Sequence, residues 1–401
     1  MKTFPAALIL LLAATLAQAA PPVVTNIRAA QLAGTKNVEI LYDVSDADGN
    51  ALTIAVQVSG DAGVSYTIPA TALSGHIGAG VAPGVNRRIV WNAGADWNGQ
   101  LVGSAKVRVT ASDGTTPAPP PGMVYIPAGV FQMGDSFYEG NTNEQPLHNV
   151  NVSAFFVDRT EVSRELWISV YSWALAHGYN FDNTGLYRAS GHPVQTINWY
   201  DAVKWCNARA EKEGLVPCYY SDSAQTVVCR GGETDITNAM VKWSANGYRL
   251  PIEAEWEKAA RGGVQGRRYP WGDTINGSQA NFQYSGDPFD SVSYSNPGTT
   301  PVGYFNGSQV PSGVDMANGY GLYDMAGDVN EWCWDWYSDS YYSDSQPATD
   351  PHGPASSSNG ARVVRGGGWN APPAYIDCAR RSWTTPGDSN SALGFRCVRT
   401  Q

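Results

Sequence analysis

The stretch that decides the fold of the second half of the chain is Asn318-Gly319-Tyr320-Gly321-Leu322-Tyr323-Asp324-Met325-Ala326-Gly327-Asp328-Val329-Asn330-Glu331-Trp332. Its glycine, asparagine and aspartate residues are typical of loops rather than of helices or regular strands. Similar stretches connect short strands throughout residues 123–401. Long loops inside a compact domain need metals or disulfides to hold them in place. The sequence therefore predicts a loop-rich α+β domain.

Helix signals in this segment are few. Asn198 is a candidate N-cap for a helix over residues 199–213. Pro251, which favours the first turn of a helix, begins a second predicted helix that stops at Gly262-Gly263. A third candidate covers residues 162–176. These isolated helices between long loops support the α+β class.

A proline-rich run precedes the loop-rich segment: Thr115-Thr116-Pro117-Ala118-Pro119-Pro120-Pro121-Gly122. Proline runs are stiff, extended spacers, so residues 116–122 are predicted to be a linker. Residues 21–115 contain no cysteine and carry alternating β-branched runs separated by turn signals. They predict a small all-β sandwich of immunoglobulin or fibronectin type. Residues 123–401 then form the α+β domain.

Residues 1–20 have the pattern of a secretory signal. Lys2 provides a basic n-region, residues 6–16 form an apolar stretch, and Ala17-Gln18-Ala19 is a small-x-small cleavage site. The apolar stretch is too short to span a bilayer, and no later segment reaches about 18 apolar residues. The sequence predicts a secreted or periplasmic protein without a membrane span after cleavage. Its cysteines would enter an oxidising compartment, where disulfides are favoured.

Charge and composition exclude some partner classes. The chain has 401 residues, 26 of them basic and 36 acidic, with a formal net charge of −10. Binding to nucleic acid needs clustered lysine and arginine, and the sequence has no such cluster. The five histidines are widely spaced, which argues against a histidine-built metal centre.

Several motifs occur in order along residues 123–400, and together they carry a resemblance. They are Met123-Val124-Tyr125-Ile126-Pro127-Ala128-Gly129, Tyr248-Arg249-Leu250-Pro251-Ile252-Glu253-Ala254-Glu255-Trp256-Glu257, Tyr269-Pro270-Trp271-Gly272, the stretch 318–332, Arg365-Gly366-Gly367-Gly368-Trp369 and Leu393-Gly394-Phe395-Arg396-Cys397. The segment resembles the formylglycine-generating enzyme (sulfatase-modifying factor) family. This resemblance implies a loop-rich fold related to C-type lectins. In active members it implies oxidation of a sulfatase cysteine with O2 and a copper ion held by two cysteine thiolates.

The copper-binding cysteines of that family are missing from this chain. Residues 366–377 correspond to the segment that carries them and contain no cysteine. The first copper position falls at Ala371, and the second falls in a loop shorter than the family's. Gly368 replaces the serine that borders the active-site pocket. Because thiolates are the ligands that bind soft Cu(I) selectively, copper is not expected here and no catalytic residue is assigned.

The six cysteines can all be assigned to disulfides. The expected pairs are Cys206–Cys397, Cys333–Cys378 and Cys218–Cys229. The resemblance implies the first pair. It also implies a bridge from Cys378, but the family's partner position is Ala260 here, so Cys333 is the natural candidate. The third pair flanks a predicted hairpin. No thiol would then remain for copper.

Calcium is the cofactor that the resemblance implies. Its ligands in the stretch 318–332 would be the side chains of Asp324 and Glu331 and the carbonyls of Gly327 and Val329. A second site would begin at Asn281 and Phe282. Ca2+ takes hard oxygen ligands of these kinds. The alternative is that the two carboxylates only cap turns.

Two functions from different classes remain open. The first is a non-oxidase binding or scaffold module that holds an extracytoplasmic peptide, protein or glycan. Its predicted pocket consists of Gly368, Trp369, Asn370, Ala371, Arg380, Arg381 and Trp383. The second is an enzyme, either a formylglycine-generating oxidase or another activity with a variant site. A third possibility is that the domain assists sulfatases by binding without oxidising them.

Overall fold

A computed structural model describes residues 22–46, 49–60, 68–98, 105–114, 118–289, 298–344 and 349–400. The chain divides into two compact units, Met1–Ala118 and Pro119–Gln401. The predicted signal segment and part of the predicted linker lie outside the described residues. Gly122, at the end of that linker, is bound within the second unit, because its carbonyl accepts the N–H of Arg159 at 2.9 Å.

The first unit consists of two antiparallel sheets around one hydrophobic core. Its strands are β1 (Val23–Gln31), β2 (Asn37–Ser45), β3 (Leu52–Ser59), β4 (Leu73–Gly75), β5 (Gly78–Val81), β6 (Gly84–Asn92) and β7 (Lys106–Ser112), and the short helix α1 (Ala93–Asp96) follows β6. The sheet orders are β1-β2-β6-β4 and β5-β3-β7. Alternate residues of β2, such as Ile40 and Tyr42, share the core with Leu52 and Ile54 of β3. Its immunoglobulin or fibronectin type stays a prediction.

The second unit combines three helices with short strands and long loops. Its elements are β8 (Met123–Ile126), β9 (Gly129–Met133), β10 (His148–Val152), β11 (Phe155–Asp158), α2 (Arg164–Ala176), α3 (Trp199–Lys212), β12 (Tyr248–Arg249), α4 (Glu253–Ala260), β13 (Asn330–Trp336), β14 (Arg362–Arg365), β15 (Ser382–Thr384), β16 (Leu393–Gly394) and β17 (Val398–Thr400). The sheet orders are β10-β9, β12-β17-β11-β8 and β15-β14-β13-β16. Only the β13–β16 pairing is parallel among the described strands of this unit. The predicted α+β class with few helices is confirmed, and the unit is rich in short sheets.

Helix α3 lies inside the second unit rather than on its surface. Its predicted N-cap is confirmed: the Asn198 side chain accepts the N–H of Asp201 at 2.8 Å, and the Asp201 carboxylate accepts the N–H of Asn198 at 3.4 Å. This reciprocal pair is a capping box. Every residue from Trp199 to Ala210 is buried. The helix therefore brings Cys206 into the centre of the core.

Helix α4 begins two residues later than the sequence predicts. Ile252 is still extended, with ψ 156°, and the first helical residue is Glu253. The carboxylate of Glu255 accepts the N–H of Ile252 at 3.0 Å, which satisfies one free donor of the helix start. The predicted third helix also begins two residues late, at Arg164, after its N-cap Ser163.

Buried ion pairs connect α4 to the strands of the third sheet and to the chain beyond β14. Arg381 donates to both oxygens of Glu253 at 2.7 and 2.9 Å. Arg365 donates to Glu257 at 2.5 Å, and Arg261 donates to the same residue at 2.6 Å. The remaining N–H groups of Arg365 bind carbonyls of residues 378–380. We call these five residues the α4 ion-pair network.

Candidate functional site

The position of the first copper ligand is filled by an apolar contact. Ala371 packs against an apolar cluster that includes Tyr269, Phe282 and Ile376. Its carbonyl accepts the N–H of Gln283 at 2.9 Å, so the backbone is fixed as well. With a methyl group here and no cysteine between residues 366 and 377, this loop does not fit a copper ion held by thiolates.

The glycines before this loop leave no space for side chains. A Cβ atom at Gly368 would lie 2.8 Å from Cβ of Ala392, so a serine there would force the backbone apart. Gly367 has φ +69°, and a Cβ atom on it would meet Ile376 at 2.4 Å. The replacement of the family's serine by Gly368 therefore accompanies a tighter packing of this segment, and Gly368 is buried.

The seven residues predicted to form a pocket have different environments. Arg381 is 1 % exposed and fully engaged with Glu253, so it is not free to bind a ligand. Trp383 is 49 % exposed, beside the ring of Tyr337. Trp369 donates its indole N–H to the carbonyl of Ser391 at 2.9 Å.

Asn370 and Arg380 complete the predicted set. Asn370 is exposed and Arg380 is partly buried. The guanidinium of Arg380 lies over the ring of Tyr375, 4.0 Å from its centroid, and pairs with Glu144 at 3.3 Å. Ligand binding by the exposed members of the set stays a prediction.

A cavity of about 270 Å³ lies beside this segment. Its walls come from residues 135–144, 261–269 and 373–379, and none of the seven predicted pocket residues lines it. Phe137, Tyr269 and Pro373 provide apolar surface. The charged groups in the lining are four carboxyl groups and three guanidinium groups: Asp135, Glu139, Glu144, Asp377, Arg261, Arg267 and Arg268. The sequence analysis missed this cavity because its walls are far apart along the chain.

Two of the cavity's carboxyl groups, those of Glu144 and Asp377, repel each other. Burial and the negative charge of Asp377 raise the pKa of Glu144 to about 7. Burial also raises the pKa of Asp377, although its Oδ1 accepts the N–H groups of Ala379 and Arg380, each at 2.8 Å. Oδ2 of Asp377 has no donor among the described residues. The cavity therefore offers acceptor oxygens and gains or loses a proton near neutral pH.

The carboxylate of Glu331, a predicted calcium ligand, is already occupied. Arg396 donates to both of its oxygens at 2.7 Å, and the indole N–H of Trp256 donates to one of them at 2.9 Å. This buried pair satisfies Glu331 without a metal. The ligand set implied by the resemblance therefore does not fit at this residue.

The two segments that were predicted to bind calcium, Asn281-Phe282 and residues 324–331, contact each other through Asn281 and Asp328. The side-chain amide of Asn281 donates to Oδ1 of Asp328 at 3.1 Å, and the N–H of Asp328 donates to the carbonyl of Asn281 at 2.9 Å. Gly327 has φ +82°, and a Cβ atom on it would lie 2.2 Å from the same carbonyl, so only glycine allows this approach. Phe282 packs instead in the apolar cluster with Ala371. Asn281 and the loop 324–331 are thus in direct contact, and calcium binding at the two predicted sites stays a prediction.

Glu161 belongs to the same region, although the sequence analysis did not select it. It is 2 % exposed, and neither of its carboxylate oxygens has a hydrogen-bond donor among the residues that the structure describes. Burial, then the charges of Asp324 and Asp328, raise its pKa well above the ordinary value. No local pattern marks it, because residues 161 and 324–328 come together only in the fold.

Metal binding at this point would need neutral oxygens as well as carboxylates. Among the described residues, no three His, Cys, Asp or Glu side chains are arranged to hold a metal ion. Asn281 Oδ1, Thr300 Oγ1 and Asp328 Oδ2 are buried and lack hydrogen-bond partners. These orphaned oxygens belong to residues that already contact one another, because Asp328 Oδ1 accepts the N–H of Thr300 at 2.7 Å.

All six cysteines are among the described residues, and all are buried. The Sγ atoms of Cys206 and Cys397 lie 3.5 Å apart, close neighbours but beyond the ~2.05 Å of a disulfide. The predicted hairpin is present, because the N–H of Cys229 donates to the carbonyl of Tyr219 at 3.0 Å. Burial raises the pKa of Cys378 to about 12. The three pairings stay predictions.

Comparison with known proteins settles the family. Residues 109–401 match the domain family described as Sulfatase-modifying factor enzyme 1-like. The chain belongs to this family. It is 36% identical over 294 residues to a formylglycine-generating enzyme of Streptomyces coelicolor, covering 69% of this chain and 88% of that protein.

Other members of this sulfatase-modifying-factor family have different names. The chain is 31% identical over 300 residues to the chaperone protein LppX of Paenibacillus barcinonensis, covering 70% of this chain and 89% of that protein. Among solved structures, Treponema denticola variable protein 1 matches with a TM-score of 0.53 and 32% identity, covering 70% of this chain and 95% of that one. Membership in the family therefore establishes the fold and leaves the activity open.

Proposed function

We propose that the second unit is a binding domain without cysteine oxidase activity. The observation that carries this proposal is Ala371, an apolar side chain packed where the resemblance places the first copper thiolate. The chain's six cysteines are all buried, and the predicted pairing of all six into disulfides leaves no thiolate to bind copper. The chaperone and the variable protein among its relatives support a non-oxidase role for this fold.

An oxidase assay tests this first point directly. The purified protein is incubated with a sulfatase-type cysteine peptide, copper, a thiol reductant and oxygen, and the peptide is analysed for aldehyde by mass spectrometry. We expect no aldehyde above the protein-free control. The Streptomyces coelicolor enzyme serves as the positive control. Aldehyde formation by this chain would establish the alternative, an oxidase with a variant site.

The cavity beside residues 373–379 is the binding site in this proposal. Its acceptor oxygens include Oδ2 of Asp377 and the carboxyl group of Glu144, which pairs with Arg380 at 3.3 Å, and its apolar wall includes Phe137 and Tyr269. Carboxylates beside aromatic surface suit an ammonium or guanidinium group, so the ligand is a peptide with a basic side chain. The formal net charge of −10 favours the approach of such a peptide.

Matched peptides test the cavity. One labelled, N-acetylated peptide carries lysine, and its counterpart carries acetyl-lysine, which has the same backbone without the charge. We expect the lysine peptide to bind at least about tenfold more tightly, and Asp377→Asn to remove that preference. Asp388→Asn, on the surface of the same unit, is the control. Equal binding of both peptides would contradict a cationic ligand.

Export to the periplasm or the medium is part of the proposal and rests on residues 1–20. No helix among the described residues is long and apolar enough to cross a membrane. Intact-mass measurement of the protein from culture medium or periplasm should show cleavage near Ala19. Thiol titration of that unfolded, unreduced protein should find no free thiols if the three predicted disulfides form. Detection of two free thiols would contradict the three disulfides and support a redox role instead.

A further inference from the structure

Two of the three guanidinium groups that line the 270 Å³ cavity are paired with carboxylates of the chain. Arg261 donates through Nε and Nη2 to Glu257, at 2.9 and 2.6 Å. Arg268 donates through Nη2 to Glu139 at 2.7 Å. Because their charges are already balanced, these two groups are not the ones that would bind a ligand.

The third guanidinium group, that of Arg267, has no carboxylate partner among the described residues. Its one hydrogen bond there runs from Nη1 to the carbonyl of Pro270 at 3.2 Å, and the residue is partly buried. Nε and Nη2 have no acceptor in the described part of the chain. These two nitrogens form one edge of the planar guanidinium group, and such an edge binds both oxygens of a carboxylate.

The carboxyl groups of the lining divide in a similar way. Asp135 accepts three backbone N–H groups from the segment that follows it. In contrast, Oδ2 of Asp377 has no donor from the described residues, and Glu144 has Arg380 as its single guanidinium partner, at 3.3 Å. The cavity therefore offers one unpaired cationic edge as well as acceptor oxygens. A ligand that fits it has both a carboxylate and a cation.

The size of the cavity limits how a ligand can carry both charges. Small-molecule sites in proteins have volumes of roughly 300–1,000 Å³, so a cavity of about 270 Å³ has room for one end of a peptide but not for a longer stretch of chain. The last residue of a peptide carries an α-carboxylate, and a lysine or arginine there adds a cation within the same residue. Capture of a C-terminal carboxylate is a recurring mode of peptide recognition.

We propose that the cavity binds the C-terminal residue of a peptide that ends in lysine or arginine. Arg267 binds the α-carboxylate through Nε and Nη2, and Asp377 and Glu144 bind the basic side chain. This inference rests on the proposed function, because it specifies which part of a basic peptide enters the same cavity. An internal lysine has no α-carboxylate and would leave Arg267 without a partner.

Four peptides of one sequence test this inference. Each is labelled at its N-terminus, has lysine or acetyl-lysine as its last residue, and ends in a free carboxylate or in an amide. Binding is measured by fluorescence anisotropy at pH 8, where Glu144, whose pKa is about 7, is ionised. We expect the lysine peptide with a free carboxylate to bind at least about tenfold more tightly than its amide, because the amide cannot form the charged pair with Arg267.

The two comparisons separate the inference from the proposed function. Equal binding of the two lysine peptides would overturn the inference and leave the proposed function intact. Equal binding of lysine and acetyl-lysine peptides that both have free carboxylates would overturn the proposed function, and the inference with it. Free L-lysine is added as a competitor, and displacement of the peptide at an equal concentration would overturn a peptide ligand in favour of the amino acid.

A substitution then tests the assigned residue. Arg267→Gln should abolish the preference for the carboxylate over the amide and keep the preference for lysine over acetyl-lysine. Arg164→Gln, which removes a positive charge elsewhere on the same unit, should keep both preferences. Near-UV circular dichroism checks that both variants fold. An unchanged preference for the carboxylate in folded Arg267→Gln would show that another group binds it.

Discussion

Two groups of buried carboxylates in the second unit are held in opposite ways. In the α4 ion-pair network, Glu253 and Glu257 receive at least two guanidinium N–H groups each. Around Glu161, the carboxylates face one another, and Glu161 receives no donor from the described residues. In the first arrangement, the chain itself supplies the hydrogen-bond donors that the carboxylates need. In the second, Glu161 needs an added cation or proton as a partner. Burial alone therefore does not show whether a carboxylate has a structural role or is available to bind something else. The number of hydrogen-bond donors that it receives does show this.

The largest effect is expected from removing a cation of the network. Arg365→Met leaves Glu257 with one guanidinium and frees three backbone carbonyls from their donor. Breaking a buried pair costs about 3–5 kcal/mol of the free energy of unfolding. Urea unfolding followed by tryptophan fluorescence measures it.

The control for this substitution is a more exposed pair of the same unit. Arg164→Met removes the partner of Glu165, and both side chains are at least one-third exposed. Pairs of this kind contribute about 0–1 kcal/mol. Equal losses in the two variants would show that the network is no more important than a surface pair.

An intermediate effect is expected at Glu144, whose single guanidinium partner lies 3.3 Å away. Its pKa is about 7 in the folded protein, above the ordinary value of 4.5, so the folded state binds its proton more tightly. The resulting stabilisation is complete below pH 4.5 and is lost as the pH rises to 7. The free energy of unfolding of wild type relative to Glu144→Gln should fall by about 1–3 kcal/mol across this range. Urea unfolding at several pH values measures it, and a constant difference would contradict the raised pKa.

The smallest effect on the free energy of unfolding is expected from replacing Glu161 with the neutral residue glutamine. Burial raises the pKa of Glu161 well above its ordinary value and so favours its uncharged form, which glutamine imitates; Glu161→Gln should therefore unfold within about 1 kcal/mol of wild type. The matched change in the network, Glu257→Gln, leaves two buried arginines poorly paired and should cost about 3 kcal/mol or more. Thermal unfolding compares them. A large loss in Glu161→Gln would mean that the carboxylate has a structural partner.

Features encoded within a few residues could be predicted from the sequence. The cap at Asn198 and helix α3 are examples, since the capping residues are three apart. That residue 371 is alanine and not cysteine is evident from the sequence itself.

Features that depend on distant partners could not be predicted. Arg381 was expected to line a pocket, but Glu253, more than a hundred residues away, holds it in the core. Glu331 was expected to bind calcium, but Arg396 holds it. The cavity at Glu144 and the site at Glu161 each combine three or more separate segments. Their chemistry depends on which side chains come into contact in the fold, and the spacing of residues along the chain does not predict those contacts.

The position of β17 has a consequence for how the protein is made. This strand lies between β12 and β11, in the interior of its sheet, and it contains residues 398–400. The sheet cannot close until residues 398–400 have been synthesised, whereas the strands of the first unit come hundreds of residues earlier. Until then the hydrogen-bonding edges of β11 and β12 are unpaired. The second unit therefore depends on being kept from aggregation during synthesis more than the first does.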